Sequence, residues 1–152
     1  MRSPIRKVTI LFIARVDCYM SVMKKMMNIL MPVVLLSACV EDESIAKYAD
    51  SDAEYQLTEL DGTPFTATAT ISFPEAGKVT GQAPCNRYFA DQSEAYPWFN
   101  VGAVRTTRMA CPDLDTEAEF IAALRAMTLA EVAGETLILS NLDGRQMVFV
   151  AR

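Results

Sequence analysis

Residues 84–89 read PCNRYF and residues 105–112 read RTTRMACP, and these two stretches organise the interpretation of the whole chain. Each carries one cysteine, Cys85 or Cys111, and neither cysteine belongs to a Cys-x-x-Cys pair of the kind that redox dithiols use. Taken alone, Cys85 is compatible with a nucleophile, a metal ligand, half of a disulfide bond or a buried core residue. Composition and context narrow these alternatives.

The composition argues against several classes of function. The 152 residues suffice for one domain, and the chain contains no histidine, which removes the usual Ser-His-Asp and Cys-His forms of catalysis. Two thiolates without an imidazole make a poor zinc site, so we expect no metal and no cofactor. Residues 39–152 hold eight basic and eighteen acidic residues, and this negative charge disfavours nucleic acid as a partner. Composition alone leaves a catalytic pair of carboxylates open, but no spacing singles one out.

The N-terminal region has the layout of a secretory signal. Residues 23–38 combine a basic start with a short apolar stretch and end in small residues directly before Cys39. The sequence Leu-Ser-Ala-Cys resembles the lipobox of bacterial lipoproteins, in which the cysteine is acylated (palmitate being one such chain) and becomes the membrane anchor. The alternative is a buried apolar helix that ends in cysteine by chance. The uncharged run over residues 26–40 is shorter than the roughly 20 residues that a spanning helix needs.

This interpretation predicts where the protein resides and how the chain is divided. We expect it in the cell envelope, held on the periplasmic side of the bilayer by acylated Cys39, with Val40 favouring the outer over the inner membrane. Residues 1–22 precede the signal and represent either a start codon placed too far upstream or an extended basic region. Residues 39–53 read as the lipidated cysteine and a flexible acidic tether, and residues 54–152 as the folded domain.

The folded domain is predicted to be mainly β, of the α+β class, with one helix. Alternation and turn residues predict strands that include residues 67–73, 78–82, 86–91 and 98–104, and a hairpin of residues 136–140 and 146–150. Thr116 and Glu119 have the spacing of a capping box, and a helical stripe follows it. The stripe consists of Phe120, Leu124 and Met127.

Cys85 and Cys111 are the even pair left within this domain. Export would place them in an oxidising compartment, so a structural disulfide is the favoured interpretation, with two free buried thiols as the alternative. Closing that loop would stabilise the domain by roughly 3–4 kcal/mol in the chain-entropy model.

The two cysteine-bearing stretches, together with three further segments, resemble the META domain family. PCNRYFADQ and RTTRMACP resemble its Cys-Asn-Arg and Thr-Arg-Met-x-Cys motifs in order as well as in residue type. The further segments are the first strand and turn (YQLTELDGTPF, residues 55–65), the helix (EAEFIAALRAM, residues 117–127) and the closing hairpin (LILSNLDGRQMVF, residues 137–149). The motif residues carried over are Cys85, Asn86, Arg87, Thr107, Arg108, Met109 and Cys111. One departure is the aromatic stretch at residues 96–99, where the family often has a polar-aliphatic strand.

The resemblance implies a small antiparallel, barrel-like β fold with one helix and brings neither a known catalytic mechanism nor an agreed ligand. HslJ-like lipoproteins, which are linked with heat shock and novobiocin resistance, share the lipobox and the META domain. It therefore implies a non-enzymatic envelope lipoprotein that supports envelope integrity or stress tolerance by binding a partner, such as an envelope protein. The alternative is a carrier that holds a small apolar ligand in the barrel interior or mouth.

Three side chains allow two interpretations each. Arg87 and Arg108 could pair with acids of the domain or offer a forked anion site, and internal pairing is favoured in so acidic a domain. Trp98 could belong to an exposed aromatic patch or to the core, and the core is favoured.

Overall fold

The computed structural model describes residues 42–152. Cys39, the signal segment 23–38 and residues 1–22 lie outside the described residues. Within the described part, the chain forms a short 3₁₀ helix, nine strands and one α-helix, and the strand pairings are antiparallel. The elements are the 3₁₀ helix Ile45–Lys47, β1 Tyr55–Leu60, β2 Thr63–Pro64, β3 Thr70–Ile71, β4 Lys78–Gln82, β5 Arg87–Asp91, β6 Arg105–Thr106, α1 Leu114–Ala126, β7 Leu129–Ala133, β8 Thr136–Ser140 and β9 Gln146–Ala151.

The larger sheet has the strand order β2-β1-β9-β8-β7, and β3 also pairs with β1. The turn between β1 and β2 is formed by Asp61 and Gly62, which both have positive φ, as the turns of two-residue hairpins require. The predicted closing hairpin is present as β8 and β9. Its strands alternate, so that Leu137, Leu139 and Phe149 are fully buried beneath partly exposed neighbours.

The smaller sheet has the order β4-β5-β6. Strand β5 alternates strictly between exposed and buried positions, with Tyr88 and Ala90 in the core and Arg87, Phe89 and Asp91 outside. Because side chains of a strand point alternately to its two faces, this sheet presents one face to the core and the other to solvent.

The two sheets enclose a filled core but do not close into a barrel, which corrects the barrel-like expectation. Large side chains that are less than 2% exposed occupy the space a barrel lumen would need, and the helix adds Phe120 and Leu124 to them. The barrel interior that the carrier alternative requires is therefore taken up by the protein's own side chains. None of the helices described for residues 42–152 has the length and apolar character that a bilayer crossing requires.

The strand predicted for residues 67–73 is much shorter, because this segment changes partner within a few residues. Ile71 pairs with Tyr55 of β1, whereas Ser72 pairs with Thr80 of β4, so the segment passes from one sheet to the other. Gly81 makes this passage possible: a Cβ at that position would lie 2.0 Å from the Thr70 carbonyl oxygen.

The strand predicted for residues 98–104 is absent. Trp98 forms an isolated pair with Leu129 and Val101 one with Gln92, so no single neighbouring strand continues the ladder. The expectation that Trp98 lies in the core is wrong, because its side chain is 59% exposed while that of Phe99 is buried. Strand β7 was not predicted, since its sequence LAEVA contains mostly residues of low β propensity.

The helix begins earlier than the predicted capping box. Its N-cap is Asp113, which makes no side-chain capping hydrogen bond, and Thr116 lies inside the first turn. Residue 112 is proline and lies directly before the N-cap. The predicted stripe is confirmed, because Phe120, Leu124 and Met127 are each at most 1% exposed.

The described part of the predicted tether, residues 42–53, is packed against the domain. Ile45 and Ala49 are buried in the core cluster, the ring of Tyr48 stacks on that of Tyr96 at 4.1 Å, and the amide of Tyr96 donates to the Glu43 carbonyl. The apolar residues at positions 45 and 49 provide the reason, because their spacing places both on one side of a helical turn. Residues 42–53 are therefore part of the packed structure together with the domain predicted from residue 54.

Candidate functional site

The two cysteine-bearing stretches meet at the edge of the smaller sheet. Cys85 and Cys111 are joined by a disulfide bond, with their Cα atoms 6.1 Å apart. Cys85 is buried and lies two residues before β5, whereas Cys111 immediately precedes the residues that lead into α1. The bond therefore ties the small sheet to the start of the helix.

Asn86 is the hydrogen-bonding centre of this region. Its side-chain oxygen accepts hydrogen bonds from the Thr107 hydroxyl at 2.9 Å and from the Met109 amide at 2.7 Å. Its side-chain nitrogen donates to a carboxylate oxygen of Glu117 at 2.9 Å and to the Met109 carbonyl at 3.4 Å. Because Asn86 is only 2% exposed, this set of partners satisfies an amide that would otherwise be costly to bury.

Glu117 completes the network, and the sequence interpretation did not assign it this role. The second oxygen of its carboxylate accepts hydrogen bonds from the backbone amides of Cys85, at 3.0 Å, and Asn86, at 2.6 Å. The side chain is 7% exposed. A sequence signal existed: Glu117 continues the stripe of Phe120 and Leu124 toward the N-terminus at helical spacing, and an acid on a buried stripe needs partners.

The network fixes the backbone of the segment around Thr107 against β5. The amide of Thr107 donates to the Arg87 carbonyl at 3.0 Å, and the amide of Arg87 donates to the Thr107 hydroxyl at 3.2 Å. The structure thus brings together Cys85, Asn86, Thr107, Cys111 and the main chain of Met109. These motif residues hold the fold.

The remaining motif side chains face solvent. Met109 is 60% exposed, and Arg108 is exposed as well. Within residues 42–152, neither Arg87 nor Arg108 forms a salt bridge, so the expected internal pairing of these two arginines is wrong. The outward direction of Arg87 follows from the alternation of β5, because its neighbour Tyr88 occupies the core.

A row of side chains crosses the outer face of the smaller sheet. Ser72 pairs with Thr80, Thr80 with Phe89, and Phe89 with Arg105. Directly paired residues of antiparallel strands project to the same side of the sheet, so these four side chains lie next to one another in a row across the strands. Phe89 is 45% exposed at the centre of the row, and Arg87 lies two positions away on the same strand. We call this surface, formed by Ser72, Thr80, Arg87, Phe89 and Arg105, the Phe89 face.

A polar groove of about 440 Å³ opens on one side of Phe89. Its wall includes Glu54, whose carboxylate binds the guanidinium of Arg152 through both Nε and Nη2 and also accepts a 2.7 Å hydrogen bond from the Thr70 hydroxyl. These hydrogen bonds, first that from Arg152 and then that from Thr70, hold the pKa of Glu54 below its ordinary value, and the charge of Arg87 acts in the same direction. Glu54 and Arg152 are therefore held in place as an ion pair, while Arg87 keeps a guanidinium available to solvent.

A second groove, of about 480 Å³, lies on the other side of Phe89. Pro74 contributes apolar surface to it, and Lys78 and Arg105 flank Asp91, to which they form salt bridges of 2.7 and 3.6 Å. Salt bridges this exposed contribute little to stability. Phe89 thus forms the ridge between a polar and a more apolar depression.

The described residues contain no group of three or more Cys, Asp and Glu side chains placed to hold a metal ion. What the arrangement offers chemically is recognition: an exposed aromatic ring, the guanidinium of Arg87, and the hydroxyls of Ser72 and Thr80 along one groove.

Comparison with known proteins agrees with the fold and the motifs. No curated protein matches the sequence at a significant level. The chain resembles several solved structures, of which two were determined by NMR. One, from Burkholderia xenovorans, is 21% identical with a TM-score of 0.54, over 76% of this chain and 93% of that protein. The other is also 21% identical, with a TM-score of 0.52, over 66% of this chain and 89% of that protein.

At this level of identity the structural likeness shows the fold alone. The family assignment rests instead on the sequence, because the family model of the META domain matches residues 49–152. The matched range includes both cysteine-bearing motifs and the helix with Glu117. The chain belongs to the META domain family.

Proposed function

We propose that this chain is a non-enzymatic lipoprotein of the cell envelope whose META domain binds another envelope component through the Phe89 face. The observation that carries the proposal is the exposure of Phe89 and Arg87 on a strand whose backbone is fixed by Asn86, Thr107 and the disulfide bond. An exposed aromatic ring beside an arginine is typical of binding surfaces, and rigidity lowers the entropic cost of binding.

The location of the protein in the cell is part of this proposal. The signal layout of residues 23–38 and the lipobox-like sequence ending in Cys39 support export and acylation, with the outer membrane favoured by Val40. A domain held at the membrane in this way would meet envelope components directly, and its loss would weaken the envelope under heat or hydrophobic antibiotics.

Acylation and membrane location are tested by labelling with a palmitate analogue, followed by membrane fractionation. The wild-type protein should carry the label and sediment with the outer membrane, and Cys39→Ser should abolish both. Labelling that persists in Cys39→Ser would contradict the anchor.

The test of binding is crosslinking in intact cells, with recovery of the full-length protein and mass spectrometry of the bound material. A specific component should be recovered with the wild type and lost with Arg87→Gln and Phe89→Ala. Arg125→Gln is the matched control, because Arg125 is exposed on α1 and lines neither groove. Recovery that is equal with all variants would contradict binding through the Phe89 face. A deletion strain that resists heat and hydrophobic antibiotics as the wild type does would contradict the role in envelope integrity.

A further inference from the structure

The polar groove beside Phe89 has a positive net charge, whereas the domain as a whole has a negative one. Its charged side chains are Arg87, Arg152 and Glu54, so the groove has a net charge of one positive. This lies in a body, residues 39–152, with eight basic and eighteen acidic residues. The net charge of the domain repels an anion, whereas the groove itself attracts it at short range.

The two arginines of this groove differ in the contacts that their side chains make. Glu54 is already engaged by Arg152 and Thr70, whereas the described residues offer Arg87 no salt bridge and its side chain makes no hydrogen bond with them. A guanidinium has the fork geometry that binds a carboxylate or phosphate through two parallel hydrogen bonds. Arg87 is therefore the anchor for an anionic group.

The other walls of the groove fit a polyhydroxylated ligand. The hydroxyls of Ser72 and Thr80 make no side-chain hydrogen bond within the described residues, although both side chains are half-buried. Gln82 donates one hydrogen bond to the Ala83 carbonyl and keeps its amide oxygen for a further donor. Hydroxyls and an amide both donate and accept, which suits sugar hydroxyls better than an apolar ligand.

Phe89 supplies the apolar wall. Its ring is 45% exposed and stands beside Thr80 in the cross-strand row. An aromatic face offers a flat surface to the C–H side of a sugar ring, while polar groups at its edge fix the orientation.

We infer that the groove binds a saccharide that carries a carboxylate or phosphate, with Arg87 on the anionic group and Phe89 against the sugar ring. This inference rests on the proposed function, since it names the chemistry of the component that the Phe89 face would bind. The carboxylate and the phosphate represent two sources of the same ligand chemistry, and the experiment separates them.

The experiment is isothermal titration of the full chain purified in detergent micelles. The probes are trigalacturonate and N-acetylglucosamine 6-phosphate, with the neutral sugars galactotriose and N-acetylglucosamine as their counterparts. Inorganic phosphate and hexaglutamate represent the anion without a sugar and an acidic peptide. We expect one anionic saccharide to bind at least tenfold more tightly than its neutral counterpart, inorganic phosphate and hexaglutamate, and the one that does identifies the source.

The variants assign the binding to the groove. Arg87→Gln should lower the affinity for that saccharide at least tenfold, and Phe89→Ala should lower it while leaving any weak binding of inorganic phosphate unchanged. Arg125→Gln should match the wild type. Circular dichroism and thermal unfolding establish that each variant is folded; if Phe89→Ala is not, Phe89→Leu replaces it, since leucine keeps apolar bulk and loses the flat ring.

The inference is overturned if no saccharide binds, if all anions bind equally, or if Arg87→Gln leaves the binding unchanged. Tightest binding of hexaglutamate would replace the saccharide with an acidic protein segment. The proposed function fails separately. If no saccharide binds but the crosslinked component is still lost in Arg87→Gln, the Phe89 face stands as a binding surface and only the ligand class is wrong.

Discussion

The side-chain nitrogen of Asn86 donates a 2.9 Å hydrogen bond to the carboxylate of Glu117, a residue that lies 31 positions further along the chain. Asn86 belongs to the first cysteine-bearing motif and Glu117 to the helix, so this bond links the small sheet to α1 beside the disulfide. The same carboxylate also accepts hydrogen bonds from two backbone amides, so the residues of the family motif form a buried polar network.

Replacing Glu117 should destabilise the protein strongly. Glu117→Ala leaves three N–H groups of Cys85 and Asn86 without an acceptor in a buried place, and we expect a loss of about 3–5 kcal/mol in the free energy of unfolding. Urea unfolding followed by circular dichroism measures it. Glu119→Ala on the exposed side of the same helix should change stability by less than about 0.5 kcal/mol. Equal effects of the two changes would contradict the role of the network.

Removal of the disulfide should lower stability independently of the groove. The bond closes a loop with a sequence separation of 26, for which the chain-entropy model gives roughly 3–4 kcal/mol. The double variant Cys85→Ser, Cys111→Ser should lose about this amount in urea unfolding. Reduction of the wild type should produce a similar loss and should leave the double variant unaffected. Alkylation without reductant should label neither Cys85 nor Cys111, and labelling of both in the folded domain would refute the bond.

Gly81→Ala should be disruptive although it adds a single methyl group. The added Cβ would lie 2.0 Å from the Thr70 carbonyl oxygen and 2.8 Å from a Tyr88 ring atom, so the backbone must move. We expect a loss of more than about 2 kcal/mol. Gly102→Ala is the matched control, because its Cβ would have only an ordinary contact, 3.9 Å from the Asp91 carbonyl oxygen. A tolerated Gly81→Ala would mean that the two sheets approach less closely than described.

Asp61→Asn should remove a contribution to stability that depends on pH. Arg145 donates two hydrogen bonds to the Asp61 carboxylate, at 3.0 and 2.7 Å, and lowers its pKa, with the Gln146 amide as the next cause. Because the folded-state pKa is lowered, the stabilisation is present above the ordinary pKa of aspartate and disappears as the pH falls through the lowered value.

The difference in unfolding free energy between wild type and Asp61→Asn should thus be present at pH 7, at most about 1 kcal/mol for so exposed a pair, and vanish as the pH falls through the lowered pKa of Asp61. Asparagine also tolerates the positive φ of this position, so the turn is kept. Asp143→Asn, where the described residues provide no ion pair, should show a difference near zero throughout. A difference for Asp61→Asn that persists at low pH would contradict the assignment.

The sequence predicts the parts of this fold whose signals are local. The hairpin of β8 and β9, strand β4 and the buried stripe of α1 follow from alternation, turn residues and helical spacing. The disulfide follows from counting cysteines, and the family from the motifs. The elements that were missed depend on pairing partners: Thr70 and Ser72 pair with different sheets, and β7 is a strand because it pairs with β8.

For the candidate site, too, the sequence reveals the local motifs but not the contacts between distant residues. Asn86 and Thr107 are recognisable as motif residues, but the sequence does not reveal that Asn86 also binds Glu117, since the helix position of this acid equally suits a solvent-exposed residue near the helix N-terminus. The groove was not predicted at all, because Glu54 and Arg152 come from opposite ends of the folded domain and meet only where β1 and β9 pair.

The position of Thr70 between the sheets has a consequence for how the domain opens. Its segment pairs with β1 of the larger sheet. Its hydroxyl accepts a 3.0 Å hydrogen bond from the Gln82 amide, and its carbonyl accepts a 2.8 Å hydrogen bond from the Tyr88 hydroxyl. Both donors belong to the smaller sheet. Neither sheet can separate from its neighbour without exposing these buried groups. Slowly exchanging amides of both sheets would therefore share one opening free energy, that of global unfolding, and the domain behaves as a single cooperative unit rather than as two foldons.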